Sequence, residues 1–191
     1  MSYGNFLIFE KIIYMKQLLL IATILVANLI NAQEGSPVAY TDVVKVSDST
    51  KSAKELYSNA KMWFTKTFKN PKNVIVLDDP ENNIIVGRGT VHYIGKWAGG
   101  GARTGNISFK VSITSKQGRY KYEINEFISD KFGYVTDGDF LPGVNNWIDG
   151  SENFRKKIAK DVQGFIEKEA DYIIHSLTTE MNTKSIKNDD W

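Results

Sequence analysis

The sequence has no cysteine, four prolines and two histidines among its 191 residues. Without cysteine, a disulfide framework, thiol catalysis and lipid attachment through an N-terminal cysteine are excluded. Zinc takes three or four ligands at a recognisable spacing, and no histidine or carboxylate lies two or four residues after His92. Because 42% of the residues are hydrophobic and 24% are charged, a disordered chain is excluded as well. We therefore expect a folded domain without a metal or another cofactor.

The longest apolar run is too short for a membrane span, and it lies near the N-terminus. Lys16 precedes the run at residues 18–30, and Ala32 supplies a small residue after it. A charge, a short apolar stretch and a small residue are typical of a secretory signal peptide. The pattern predicts a leader over residues 1–32, with translation starting at Met1 or at Met15. The alternative is an uncleaved membrane anchor that uses both N-terminal apolar stretches.

The sequence also lacks a large excess of charge of one sign. Its formal net charge is +2, and removing the leader takes away Lys11, Lys16 and Glu10, which leaves +1. A nearly neutral domain offers no electrostatic reason to bind nucleic acid. We expect a protein exported to the periplasm or the cell exterior, with no transmembrane segment in the mature chain.

The pattern of the mature chain predicts one α+β domain over residues 33–178, followed by a polar tail at 179–191. The order is strand, helix, four strands and helix, or β-α-β4-α. Clean alternation in the strands indicates one antiparallel sheet of about five strands, and both helices must cover its apolar face. The predicted strands are 39–46, 74–77, 84–94, 107–113 and 119–128, and the predicted helices begin at Ser52 and Ser151.

Local signals fix several details of this fold. Ser52 and Glu55 form a capping box, and Asn70-Pro71 is expected to end the first helix. Gly87 and Gly89 lie on the helix-facing side of their strand, where they would let a helix approach the sheet closely. The Gly-rich residues 97–105 are expected to form a hairpin loop, and residues 129–150 have no firm period.

The first helix and the strands after it resemble a known family. Lys54-Glu55-Leu56-Tyr57, Ala60-Lys61, Trp63-Phe64 and Phe68 are similar to its first helix, and the turn at Asp78-Asp79 and Ile84-Ile85 with the two glycines also match. The family is a secreted bacterial one, "domain of unknown function 4468", with a TBP-like fold. The resemblance covers roughly residues 40–128. It implies a curved antiparallel sheet with two helices on one side, and it implies no activity.

The motifs that suggest catalysis or ion binding fail on their chemistry. Asp137-Gly138-Asp139 begins like a calcium loop, but Pro142 stands where a glycine is needed and the final acidic ligand is missing. Asp78, Asp79 and Glu81 fit a solvated turn. Gly99–Gly105 lacks the phosphate-loop patterns, and no G-x-S-x-G elbow is present. His175 lies beside the apolar stripe of the last helix. We expect no catalytic residue.

The sheet face opposite the helices is the predicted binding surface. Alternation gathers cationic side chains with Glu123 on it, beside the apolar Ile84, Val86 and Phe127. Trp97, Phe140 and Trp147 add aromatic side chains from the irregular segments. The candidate residues are Arg88, His92, Trp97, Lys110, Arg119, Lys121, Phe140 and Trp147.

We expect a non-enzymatic binding module of the cell envelope that uses this open sheet face. Its partner would be an envelope protein, a glycan or a small ligand. The first alternative is a helix-grip-like carrier of a small apolar ligand. An envelope hydrolase ranks last, because no nucleophile–base pair is visible.

Overall fold

A computed structural model describes residues 37–96, 102–131, 133–135 and 152–184. The predicted leader, Trp97, Phe140, Trp147 and the Asp137–Asp139 motif lie outside these described residues. Within them, no helix is long and apolar enough to cross a membrane. The elements are β1 (Tyr40–Lys45), α1 (Ala53–Thr67), α2 (Pro71–Val74), β2 (Ile75–Asp79), β3 (Ile84–Lys96), β4 (Ala102–Lys116), β5 (Arg119–Ser129), β6 (Gly133–Tyr134) and α3 (Glu152–Asn182).

The strands form one antiparallel sheet in the order β1-β5-β4-β3-β2, and the two-residue β6 pairs with β5. Helices α1 and α3 pack on one side, which we call the inner face, and the opposite side is the outer face. Side-chain contacts join α3 to α1 and to the sheet: Trp63 Nε1 donates to Ser176 Oγ at 3.0 Å, and Tyr120 Oη lies 3.0 Å from Thr178 Oγ1. The α+β prediction and its helix-on-sheet layers are confirmed.

The alternation of apolar and polar residues in β4 correctly predicts which of its side chains are buried. Ile107, Phe109, Val111 and Ile113 are all buried against the helices. The apolar stripe of α3 is also buried at Ile158, Val162, Ile166, Ile173 and Leu177. These residues are spaced four or seven apart, so they lie on one side of the helix.

Aromatic side chains from the end of α1 and from its C-cap pack onto the sheet at Gly87 and Gly89. A Cβ on Gly87 would overlap the ring of Phe64, and one on Gly89 would lie 2.8 Å from a ring atom of Phe68. The rings of Phe64 and Phe68 stack with their centroids 5.7 Å apart. The prediction that these glycines admit a helix is confirmed.

The predicted face of the second half of β5 was wrong. Phe127 is buried beside Phe109, and Ile128 lies on the outer face. The register shifts between Ser108 and Lys110, so β5 has one extra residue there, and Glu126 has a φ of 54°. This β-bulge reverses the faces of all later residues, and local alternation does not reveal it.

Three boundaries also differ from the sequence prediction. The loop expected at 97–105 is shorter, because Ala102–Gly105 pair with Tyr93–Lys96 and continue the ladder between β3 and β4. The polar tail expected from residue 179 starts later, since α3 runs to Asn182 and buries Met181. Pro71 opens the short helix α2 instead of only ending α1.

The predicted capping box at the start of α1 is formed. Glu55 N donates to Ser52 Oγ at 3.2 Å, and Ser52 N donates to Glu55 Oε2 at 2.8 Å. We expect Ser52→Ala to lower the free energy of unfolding by about 1 kcal/mol in urea denaturation, because an orphan backbone donor loses its partner. Ser58→Ala is the matched control within the same helix. A loss no larger than that of the control would contradict the cap.

Candidate functional site

The outer face collects five of the eight candidate residues. Arg88 pairs directly with Lys110, and Arg119 and Lys121 are two residues apart on the next strand. His92 lies on the same side of β3 as Arg88. Among the described residues no helix packs on this face. The structure therefore brings the five candidates to one surface, although not to one cluster.

Arg88 and Lys110 share a carboxylate that the sequence reading missed. Glu126 Oε2 lies 2.6 Å from Arg88 Nη2, and Glu126 Oε1 contacts Lys110 Nζ. Without the bulge, Glu126 would point to the inner face with Ile124. The left-handed backbone of Glu126 turns this side chain outward. Both candidate cations are consequently neutralised in part by their own sheet.

The pKa of Glu126 is held below its ordinary value by the Lys110 hydrogen bond and, more weakly, by the Arg88 hydrogen bond. A lowered folded-state pKa stabilises the fold above the unfolded pKa of about 4.3, and this contribution disappears as pH falls through the folded value. We expect Glu126→Gln to remove that part of the acid dependence in urea titrations. Equal acid dependence in the parent and the variant would contradict the ion pairs.

His92 belongs to a second arrangement at the far end of the same face. Its Nδ1 lies 3.1 Å from Asn106 Oδ1, and Asn106 Nδ2 donates to Asp130 Oδ2 at 3.1 Å. Because the Asn106 amide nitrogen donates to Asp130, the amide oxygen faces His92 and accepts a hydrogen bond from its Nδ1–H. These two hydrogen bonds in series orient the exposed imidazole of His92. No described group of three or more His, Asp or Glu side chains could hold a metal ion.

The remaining candidates, Arg119 and Lys121, belong to a basic cluster at the β4–β5 hairpin. We call it the hairpin cluster and define it as Lys45, Lys116, Arg119 and Lys121. Lys45 pairs with Arg119, and Arg119 pairs with Lys116, so three cations form one row across β1, β5 and β4. All four side chains are exposed. Lys121 contacts Glu123, whereas the other three have no acidic partner among the described residues.

A shallow apolar depression adjoins this row. It has a volume of about 370 Å³ and lies between Val43, Thr114 and the cations Lys116, Arg119 and Lys121. Val43 is 54% exposed, although it is a large aliphatic residue in the middle of a strand. The surface thus offers apolar contact beside positive charge.

The sequence reading missed two members of the hairpin cluster. Lys116 continues the outward alternation of Lys110, Ser112 and Thr114, so a longer β4 would have revealed it. Lys45 joins the cluster through pairing with a strand that lies more than 70 residues later in the chain. That long-range register leaves no local signal.

The space between helices and sheet is filled where the structure describes it. Trp63, Phe64, Phe109 and Ile113 are almost completely buried there, and Phe64 occupies the position that a Gly87 side chain would take.

The acidic turn also has structural roles. Asp78 binds Tyr57 and Lys61 of α1, and Asp79 accepts hydrogen bonds from Glu81 and Asn82.

Residues 40–129 match the model of the family described as "Domain of unknown function (DUF4468) with TBP-like fold". The matched residues span β1 to β5 together with α1 and α2. A crystal structure of a DUF4468 family protein from Bacteroides ovatus is similar, with a TM-score of 0.54 and 15% identity over 79% of this chain and 90% of that one. A crystal structure of a TBP-like protein from Parabacteroides distasonis is also similar, with a TM-score of 0.51 and 15% identity over 76% of this chain and 95% of that one.

These likenesses establish a TBP-like fold and confirm the predicted resemblance to the DUF4468 family. No curated protein matches the chain. The candidate surface must therefore be interpreted from its own chemistry.

Proposed function

We propose that this protein is an exported cell-envelope binding module that uses the hairpin cluster on its outer face to bind an anionic partner. The leader pattern around Lys16 and Ala32 supports export. The separation of roles between the two faces supports binding, because the inner face is used for the core and the outer face carries exposed charge. The protein acts without catalysis in this proposal.

One observation carries the proposal: three cations without an acidic partner among the described residues face each other across neighbouring strands. Like charges directly opposite each other destabilise a sheet, and neighbouring strands lie only about 4.8 Å apart. In this sheet Lys45 lies opposite Arg119 and Arg119 lies opposite Lys116, so these like charges repel each other. An anion placed over the row would relieve this repulsion. The same arrangement raises the local concentration of anionic partners near the surface.

Export is tested by the intact mass of the protein isolated from cells that express the full chain. We expect an envelope fraction that contains a chain beginning near Gln33, because the leader ends at Ala32. A full-length mass, or recovery only from the cytoplasm, would contradict export. Native mass spectrometry of the same sample tests the carrier alternative, and we expect no bound apolar molecule because the described core is filled.

Binding is tested by reversing two cations of the row, Lys116→Glu with Arg119→Glu. Neither residue has an ion pair among the described residues, so we expect the fold to persist. Crosslinking in intact cells should then lose the products that the parent forms. The matched control, Lys160→Glu with Lys168→Glu, makes the same charge change on exposed positions of α3 and should keep them. Unchanged products in the cluster variant would contradict the proposed surface.

A further inference from the structure

Strand β1 is an edge of the sheet, and its free side adjoins the hairpin cluster. It pairs only with β5 among the described strands. Just past the end of β1, Val46 N donates to Gly118 O at 3.1 Å, so the backbone groups of Val46 point toward β5. Neighbouring residues of a strand direct their backbone groups to opposite edges. The N–H and C=O groups of Thr41, Val43 and Lys45 therefore point to the free edge.

The hydrogen bond of Val43 supports this orientation. Its N–H donates to Asp42 Oδ1 at 2.7 Å instead of to another strand. A side chain from the neighbouring residue thus satisfies the outward donor at the middle of β1. Native sheets protect edges in such ways against unwanted pairing. The contact that protects the middle of β1 is an exposed one between neighbouring residues, which an incoming strand can displace.

The two faces of this edge carry opposite charge. On the outer face, Lys45 leads into the row of cations, and the exposed Val43 lies beside it. On the inner face, burial and, to a smaller extent, the carboxylates of Glu167 and Asp171 raise the pKa of Tyr40 to about 12. Asp42 is also exposed on that side. A strand added here would meet positive charge through one set of alternate residues and negative charge through the other.

We infer that the partner is a protein segment that adds to β1 as an extra antiparallel strand, with acidic residues only at alternate positions. The residue opposite Lys45 would be acidic, the residue opposite Val43 would be apolar, and the residues between them would be neutral or basic. This inference rests on the proposed function and names the partner of that surface. Main-chain hydrogen bonds would give affinity and the alternate side chains would give specificity.

A second copy of this chain fits the edge poorly. Pairing of β1 with β1 of another copy would offer only Thr41, Val43 or Lys45 as the outer-face residue opposite Lys45, and none of these is acidic. An acidic polysaccharide would meet the cations but would leave the edge N–H and C=O groups without a β-ladder. Charge complementarity and the free edge together favour an extended acidic peptide.

The test uses labelled peptides and fluorescence anisotropy with the full-length protein. The probe TETETVTT carries glutamate and valine on one face when extended, and EEEEEVEE carries more charge on both faces. We expect the alternating probe to bind at least about tenfold more tightly, because its second face avoids Asp42, Glu167 and Asp171. TKTKTVTT should not bind. Tighter binding of EEEEEVEE, or equal binding of an acidic polysaccharide, would overturn strand addition.

Backbone methylation separates strand addition from simple charge attraction. N-methyl groups on the glutamate and valine positions face β1 in the proposed pairing and should weaken binding about tenfold or more. N-methyl groups on the threonines at the odd-numbered positions of the probe face away and should change the affinity less than about threefold. The same protein is used with both sets of peptides, so misfolding of a variant cannot cause a difference in affinity between them. Equal effects of the two sets would overturn the proposed pairing.

A variant at the edge gives a second readout. Val43→Pro removes an N–H that the β1–β5 ladder does not use, and it should abolish binding while every cation remains. Lys116→Glu with Arg119→Glu should also abolish it. If the charge variant loses its cellular crosslinks but N-methylation has no positional effect, strand addition fails and the binding module stands. If neither the crosslinks nor the peptides respond to charge reversal, both proposals fail.

Discussion

Replacing Gly87 with valine lowers the free energy of unfolding by about 1–2 kcal/mol in our expectation. The new Cβ would occupy the place of the Phe64 ring, which is fully buried and contacts the rings of Trp63 and Phe68. Overpacking of this kind costs about 1–3 kcal/mol, occasionally more. Valine gains at most about 1 kcal/mol from its strand propensity. The steric cost therefore exceeds the gain, and urea denaturation measures the difference.

Gly164 provides the matched control for this prediction. Nothing lies within 4 Å of a Cβ built on it, and it lies inside α3. Gly164→Ala should therefore stabilise the protein by about 0.5–1 kcal/mol, because alanine loses less backbone entropy in a helix. Phe64→Leu combined with Gly87→Val should recover part of the loss of the valine variant alone. A strictly additive pair would mean that the ring is not the obstacle.

The sheet could be predicted from sequence wherever side-chain alternation continued without interruption. Ile107, Phe109, Val111 and Ile113 alternate with polar residues, and all four are buried. The prediction failed for Phe127 because one extra residue enters β5 at the bulge. A bulge depends on pairing with β4, and no local pattern distinguishes it from a continuous strand.

The candidate surface was predictable to the same degree. Alternation identified Arg119 and Lys121 as outward-facing, but the row of three cations exists only through the register of β1 against β5 and β4. The same register explains why Arg88 and Lys110 differ from them, because the bulge brings Glu126 between these two cations. Sequence therefore indicated the charged face, whereas long-range pairing decides which charges on it are free to bind.

The hairpin that carries Lys116 and Arg119 depends on a buried lysine. Lys51 is only 7% exposed, and its Nζ donates to Met181 O at 2.9 Å and to Thr183 O at 2.7 Å. These carbonyls lie at the C-terminal end of α3, where a helix favours positive charge. The Lys51 carbonyl in turn accepts a hydrogen bond from Gly118 N at 2.9 Å. One residue thus links the end of the long helix to the turn of the β4–β5 hairpin.

We expect Lys51→Met to lower the free energy of unfolding by about 3 kcal/mol. Methionine keeps the length of the apolar stem, so the loss isolates the ammonium group. Hydrogen bonds from a charged group contribute about 1.5–3 kcal/mol, and its attraction to a helix C-terminus adds up to about 2 kcal/mol. Asn59 Nδ2 also donates to Thr183 O, at 3.0 Å, and limits the damage. The exposed Lys54→Met is the control and should cost less than about 0.5 kcal/mol.

The location of faster hydrogen exchange in Lys51→Met distinguishes a local role of Lys51 at the hairpin from a general loss of stability. Hydrogen exchange should accelerate first at the last turn of α3 and at Gly118, because these are the groups that Lys51 holds. Binding of the alternating acidic peptide should weaken in the same variant, since the turn between Lys116 and Arg119 loses an anchor although every cation remains. Uniform acceleration along the chain, with peptide affinity unchanged, would mean that Lys51 stabilises the fold without positioning the hairpin cluster.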